Sequence, residues 1–279
     1  MPSLLIVGGL TIDRFPDGTR APGGSVLHAG LAAAAEGAEL TILTVAGEEP
    51  EAIAGLERLR GFGSVRRQRS PSTTTYRHEE VDGRRVLVYE AASGTIEVDE
   101  IPELPAFDVV LVAPIANELP AGSISRIRDA AAAPLTVLLV QGWLRQLEVG
   151  MPAVPMRLDE LSAARWEEFG GADAIVVSTE DFAGEPADPF AQAAGLRSHV
   201  GPHPILVLTL ATDGYLLDDP AADRVVASVP RRIVEGVPAV GAGDTFGAAL
   251  AIHLAQGNTP VAAAQAATER VIAVLESRR

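Results

Sequence analysis

The feature that most constrains this chain is a repeat of short, uninterrupted apolar runs separated by alanine-rich amphipathic stretches. Leu4–Gly8, Leu40–Ala46, Val109–Ala113, Leu135–Val140, Ala174–Ser178 and Ile205–Leu210 read as strands, and most are continuous Val/Ile/Leu. Runs of that kind suit strands covered on both faces. Ser25–Glu36, Glu51–Arg60, Ser123–Ala132, Leu158–Phe169 and Pro189–His199 read as the helices between them. Such alternation predicts an α/β fold with a mainly parallel sheet and helices on both sides. Two more helices close the chain, about Gly243–Gln256 and Thr259–Arg278, with Thr259 as N-cap and Pro260 at the first helical position.

One segment departs from the repeat. Thr73–His78 and Arg84–Tyr89 flank Asp82-Gly83, a hairpin turn signal. A β-hairpin at about 72–90 therefore stands off the main sheet, as a lid over a site or as an antiparallel edge. No fixed-period repeat or long linker appears, so residues 1–279 read as one domain.

Composition narrows the chemistry. The 279 residues carry 37 acidic against 22 basic side chains, a formal charge of −15. That balance speaks against nucleic acid and anionic membrane as partners. Every basic residue is Arg, which excludes a lysine P-loop, a Schiff base and a lysine general base. Cysteine is absent, so thiolate catalysis, disulfides and Cys-ligated metals are excluded. No basic leader and no 18-residue apolar run is visible, and the expectation is a cytoplasmic protein.

Ligands of open α/β sheets gather at the carboxyl ends of the strands. Those ends bear Gly8-Gly9, Gly47, Pro114, Gln141-Gly142, Ser178-Thr179 and Thr209-Leu210-Ala211, followed by Asp13, Glu118, Arg145, Asp181 and Asp213. The sharpest local signal is Gly241-Ala242-Gly243-Asp244-Thr245-Phe246-Gly247 ahead of an amphipathic helix. A glycine turn at a helix N-terminus aims backbone N–H groups at one point and adds about half a positive charge, an arrangement suited to phosphate. Asp244 in the first turn is placed to take a proton from an attacking hydroxyl. A Gly-rich turn with an ordinary helix-start acid is the plainer alternative.

Gly241–Ala248 resembles the second signature of the PfkB carbohydrate kinases, the ribokinase family. Val7-Gly8-Gly9-Leu10-Thr11-Ile12-Asp13 is similar to that family's opening strand and substrate-binding aspartate. Pro22-Gly23-Gly24-Ser25, then Ala29 and Glu36-Gly37-Ala38, resembles its first signature. Leu208–Gly214 looks like the strand and turn lining its nucleotide site. These matches run in the family's order along nearly the whole chain.

The resemblance implies a ribokinase-like three-layer α/β/α sandwich and an ATP-dependent kinase. A γ-phosphoryl group would pass to a hydroxyl of a small sugar, polyol or nucleoside, with Mg²⁺ bridging the phosphates. Asp244 would be the base and the Gly241, Ala242 and Gly243 amides the anion hole. Asp13, Gly23, Gly24, His28 and Arg145 would bind the acceptor. Ser178, Thr209, Ala211 and Gly214 would line the nucleotide, and Asp181 would approach the metal through water.

The chain departs from the pattern at several points. His28 stands where Asn is usual, and Ser178-Thr179-Glu180-Asp181 replaces an Asn-x-x-Glu motif. Ala211 replaces a glycine. Only nine residues separate Asp13 from Gly23, which predicts a reduced lid built mainly from the hairpin, with the hairpin available to pair in a homodimer. Pro114–Glu118 and Gln141–Arg145 resemble short members that include inositol kinases. Two rivals are a catalytically decayed member that only binds sugar or nucleotide, and an unrelated dinucleotide oxidoreductase. The second would need G-x-G-x-x-G after the first strand, which Gly8–Asp13 does not supply.

Overall fold

A computed structural model describes residues 1–81, 84–98, 104–183, 188–222 and 224–279. The turn signal Asp82-Gly83 lies outside them. The main sheet has nine strands. In chain order they are β1 (Ser3–Gly9), β4 (Glu39–Ala46), β5 (Gly63–Arg69), β8 (Val109–Ala113), β9 (Thr136–Leu139), β12 (Ala174–Ser178), β13 (Ile205–Thr209), β14 (Tyr215–Asp219) and β15 (Arg224–Ser228). Their spatial order is β15-β14-β13-β12-β9-β8-β1-β4-β5. Seven neighbours from β13 to β5 run parallel, and β14 and β15 return antiparallel at one edge.

Seven helices cover the two faces. They are α1 (Ser25–Ala35), α2 (Pro50–Arg60), α3 (Ser123–Ala131), α4 (Ala163–Gly170), α5 (Pro189–Val200), α6 (Ala242–Ala255) and α7 (Pro260–Glu276). Alternation along β1 sorts the core. Leu4 and Ile6 pack with Leu27, Leu56, Phe246 and Leu250 on one face. Leu5 and Val7 pack with Ile127, Phe169 and Leu196 on the other. Both faces are apolar, which is why the strands read as unbroken runs. The six expected strands are present, each within a residue of its expected bounds. The expected helix Leu158–Phe169 is instead a short 3-10 turn, Leu158–Glu160, followed by α4, whose start is capped by the Ser162 hydroxyl accepting from Arg165 N–H.

Because the parallel strands share a direction, their carboxyl ends form one rim, and a second sheet rises there. Its order is β3-β2-β6-β7, formed by β2 (Thr11–Arg14), β3 (Arg20–Gly23), β6 (Thr74–Val81) and β7 (Arg84–Ala91). This corrects the expectation that the stretch from Asp13 to Gly23 is too short to add lid strands. Five residues between β2 and β3 turn the chain back, with Phe15 N–H donating to Thr19 O and Gly18 N–H to Phe15 O. β2 pairs antiparallel with β3 and parallel with β6.

The lid's outer face is laced by ion pairs: Arg14–Glu90 at 2.7 Å, Arg77–Glu90 at 2.8 Å, and Arg77–Glu79. The free edge of β7 is engaged by its own chain. Tyr89 N–H donates to Met151 O, and Ala153 N–H donates to Leu87 O. That edge is therefore satisfied without a second copy, in the way exposed sheet edges are commonly protected.

One backbone feature is testable by itself. Ala132, exposed at the C-terminus of α3, adopts φ +45°, in the left-handed region. A side chain there costs about 1 kcal/mol that glycine avoids, partly offset by glycine's freer unfolded state. Ala132→Gly is expected to raise stability by about 0.5 kcal/mol in urea denaturation; a loss of stability would contradict the reading.

Candidate active site

α6 supplies the floor of the cleft. Thr245 to Ile252 are all buried, so the helix is a core element and its N-terminus is held in place. Gly241 is its N-cap with φ +77°, a conformation that favours glycine. A Cβ there would also overlap the imidazole of His28, which α1 presents from the side. The Ala242 N–H donates to Ala239 O at 3.0 Å, and Thr245 N–H closes the first turn onto Gly241 O at 2.9 Å. The N–H groups of Gly243 and Asp244 meet no backbone carbonyl. Of the expected anion-hole groups, the Ala242 amide donates to Ala239 O, while the Gly243 and Asp244 N–H groups are left free by helix geometry. The preceding loop is tied down by Arg278, which donates to Pro238 O at 2.7 Å and Val240 O at 2.8 Å.

Asp244 stands beside these amides, partly exposed by surface but deep in the cleft. Loss of hydration pushes its carboxyl up to about 7; Arg145 pulls it down, while Asp181 and Asp13 push it up. Asp244 therefore feels the other three charges. Arg145, in the short strand β10 (Arg145–Gln146), lies 4.0 Å from Asp181, and its charge also acts on the Tyr76 hydroxyl. The Tyr76 hydroxyl in turn donates to Ile115 O at 2.9 Å. Asp181 is buried, with one carboxylate oxygen accepting from Ser178 N–H at 2.9 Å and the other without a hydrogen-bond partner. Burial pushes its carboxyl up, with Arg145 opposing. Ser178 and Asp181 thus form a small capping box that commits one of the two Asp181 oxygens. Glu118 is also buried, but its two oxygens accept from Ile115 and Ala116 N–H, so it shapes a loop.

The acceptor-side residues come from the lid and α1. Asp13 on β2 is buried, accepts from the Thr11 hydroxyl at 3.2 Å and lies against Gly23. Gly24 caps α1 with φ +91°. His28 is partly buried, its Nε2 has no partner, and burial together with the Arg278 charge pushes it down to about 4. On the far side, Thr209 donates to Val177 O, Ala211 sits exposed at φ +52°, and Gly214 follows at φ +93°. Asp213 is exposed there, away from the carboxylate group. The polar run of the hairpin leaves His78 open between reaching a substrate from above and a solvated face. Its side chain is 8% exposed and faces Asp13 at 3.5 Å. The signal was alternation within Thr74–Val81, which puts Tyr76 and His78 on the inner face.

Asp181 has a free buried oxygen, and Mg²⁺ is commonly held by one or two carboxylates, waters and substrate phosphates. The residues fit a metal held mainly through the donor. Among the described residues no group of three or more His, Asp or Glu side chains forms a dedicated metal cage.

The arrangement is an α/β fold with uncommitted N–H groups at a helix start and a carboxyl beside them. No family model and no curated protein matches the chain in sequence. Solved structures do match in shape. A pyrophosphate-dependent kinase of the ribokinase family, complexed with a pyrophosphate analogue and myo-inositol, superposes with TM-score 0.76 at 19% identity, covering 95% of this chain and 92% of that one. A fructokinase from Vibrio cholerae O395 gives TM-score 0.73 at 19% identity, with full coverage of both chains. Ribokinase from Arabidopsis thaliana, complexed with ribose and ATP, gives 0.69 at 16% identity, covering 99% of each. The chain has the fold of the ribokinase-family kinases. No described helix is long and apolar enough to cross a membrane.

The raised Asp244 carboxyl has a consequence for stability. In the unfolded chain it ionises near 3.8, in the folded protein near 7, so the native state holds the extra proton between those values. Stability from this group is full below about pH 4 and is lost as pH rises through 7. The ceiling is about 4 kcal/mol, and partial exposure reduces it to about 2 kcal/mol. Asp244→Asn is therefore expected to gain about 2 kcal/mol over the parent at pH 8 relative to pH 4. A gap that does not change with pH would contradict the burial argument.

Proposed function

We propose that this protein is a phosphotransferase that moves the terminal phosphoryl group of a polyphosphate donor, ATP in the first instance, to a hydroxyl of a small sugar or polyol. The observation that carries this reading is Asp244. A carboxyl poised near 7 stands beside two uncommitted N–H groups at a helix start, across the cleft from a buried, hydroxyl-binding carboxylate on the lid. A general base works best when its pKa lies near the working pH.

In the reaction, the acceptor oxygen attacks the terminal phosphorus while the bond to the leaving diphosphate oxygen breaks. The hydroxyl proton passes to Asp244. The Gly243 and Asp244 N–H groups face charge that builds on the transferring phosphoryl oxygens. Arg145, the cation among Asp13, Asp181 and Asp244, offsets part of their repulsion toward the donor. When bound, Mg²⁺ neutralises donor phosphate charge, with the free Asp181 oxygen placed to hold one of its waters. Thr209, Ala211 and Gly214 form the wall for the rest of the donor. Their open turn, and the pyrophosphate-dependent neighbour, make pyrophosphate the second donor to try.

The test is phosphoryl transfer from ATP or pyrophosphate with Mg²⁺ across sugars, polyols and nucleosides, run on parent and Asp244→Asn. The amide is nearly isosteric but takes no proton, so the variant should bind donor normally and lose roughly 10²–10⁴-fold in turnover. Equal turnover in both would remove Asp244 as the base, and binding without any turnover in the parent would favour the decayed reading.

A further inference from the structure

We infer that His78 is a specificity-determining residue: its Nε2–H and the Asp13 carboxylate together hold one hydroxyl of an uncharged, polyhydroxylated acceptor. This rests on the phosphotransferase reading for which molecule is held, but its geometry stands on the lid alone. His78 is 7% exposed, and its Nε2 makes no hydrogen bond. Asp13 Oδ1 is 3.5 Å away, close enough for electrostatic attraction but not aligned for a direct bond. A buried ring nitrogen left without a partner is costly. The ring is also fixed: Phe15 lies against it with centroids 4.8 Å apart.

An alcohol oxygen resolves the mismatch, because a hydroxyl both donates and accepts. It would donate to Asp13 Oδ1 and accept from His78 Nε2–H, sitting about 2.8 Å from each. Asp13 has lone pairs to spare, since Oδ1 takes only the Thr11 hydroxyl and Oδ2 lies over Gly23. Across the pocket, His28 Nε2 is a second buried nitrogen without a partner, within reach of the Asp13 charge. An acceptor with several hydroxyls satisfies both walls. A sugar already bearing phosphate does not fit as well. It would face Asp13, Asp181 and Asp244, with Arg145 already paired with Asp181.

The experiment pairs myo-inositol, D-ribose and D-fructose with a monophosphate of each. Binding is read by calorimetry, and transfer from ATP and from pyrophosphate with Mg²⁺ by KM and kcat. His78→Phe keeps the ring and its contact with Phe15 but removes Nε2. His78→Gln keeps an N–H donor. At least one neutral polyol should bind the parent, and His78→Phe should raise its Kd and KM at least tenfold. Donor KM should stay within twofold, and His78→Gln should recover part of the loss. Should His78→Phe melt early, partial recovery by His78→Gln relative to His78→Ala carries the test. Unchanged acceptor affinity in His78→Phe, a monophosphate preferred over its parent sugar, or no binding by any of the six overturns the inference. Binding that depends on His78 without turnover keeps it and removes the phosphotransferase reading. Turnover indifferent to His78 does the reverse.

Discussion

The cleft depends on the burial of α6. From Thr245 to Ile252 the helix has no charged side chain and is enclosed by α1, α7 and the sheet, with Gly247 packed directly on Leu139. A helix held this way cannot tilt without opening the core, so its first turn is a fixed point in the molecule. Two free N–H groups and Asp244 occupy that turn. Their preorganisation is paid in folding rather than at the moment of reaction. The end of the chain reinforces it, since Arg278 holds the carbonyls of Pro238 and Val240 just upstream.

Around this fixed point the charges are unbalanced. Asp13, Asp181 and Asp244 face one cleft, with Arg145 among them. The absence of lysine makes a guanidinium the available cation, paired with Asp181 on the rim while its charge acts on Tyr76 of the lid. Loss of hydration is the main reason Asp244 ionises late, and the surplus negative charge adds to it.

Much of the fold could be read from the chain because doubly covered strands leave an unmistakable apolar signature. β5, β14 and β15 were not legible for the opposite reason. They lie toward the sheet edges, where Arg66, Arg67 and Asp218 are tolerated and the apolar run is broken. β2 and β3 are four-residue strands with a Pro and charges, so their existence depends on pairing with β6 rather than on local preference. The Gly241–Asp244 turn stood out because helix-start anion sites need glycine in sequence, and Asp13 through its place after the glycines that end the first strand. His78 was left between a substrate contact and a solvated face, because a polar run settles neither until the lid's inner face is known.

The most direct measurement is the pH dependence of kcat with a confirmed donor and acceptor at saturation. If Asp244 is the base, the rate rises with pH along an acid limb whose midpoint lies near 7, because only the ionised carboxylate can take the hydroxyl proton. A kcat that is level from pH 5 to 9, or that falls as Asp244 ionises, would contradict the account.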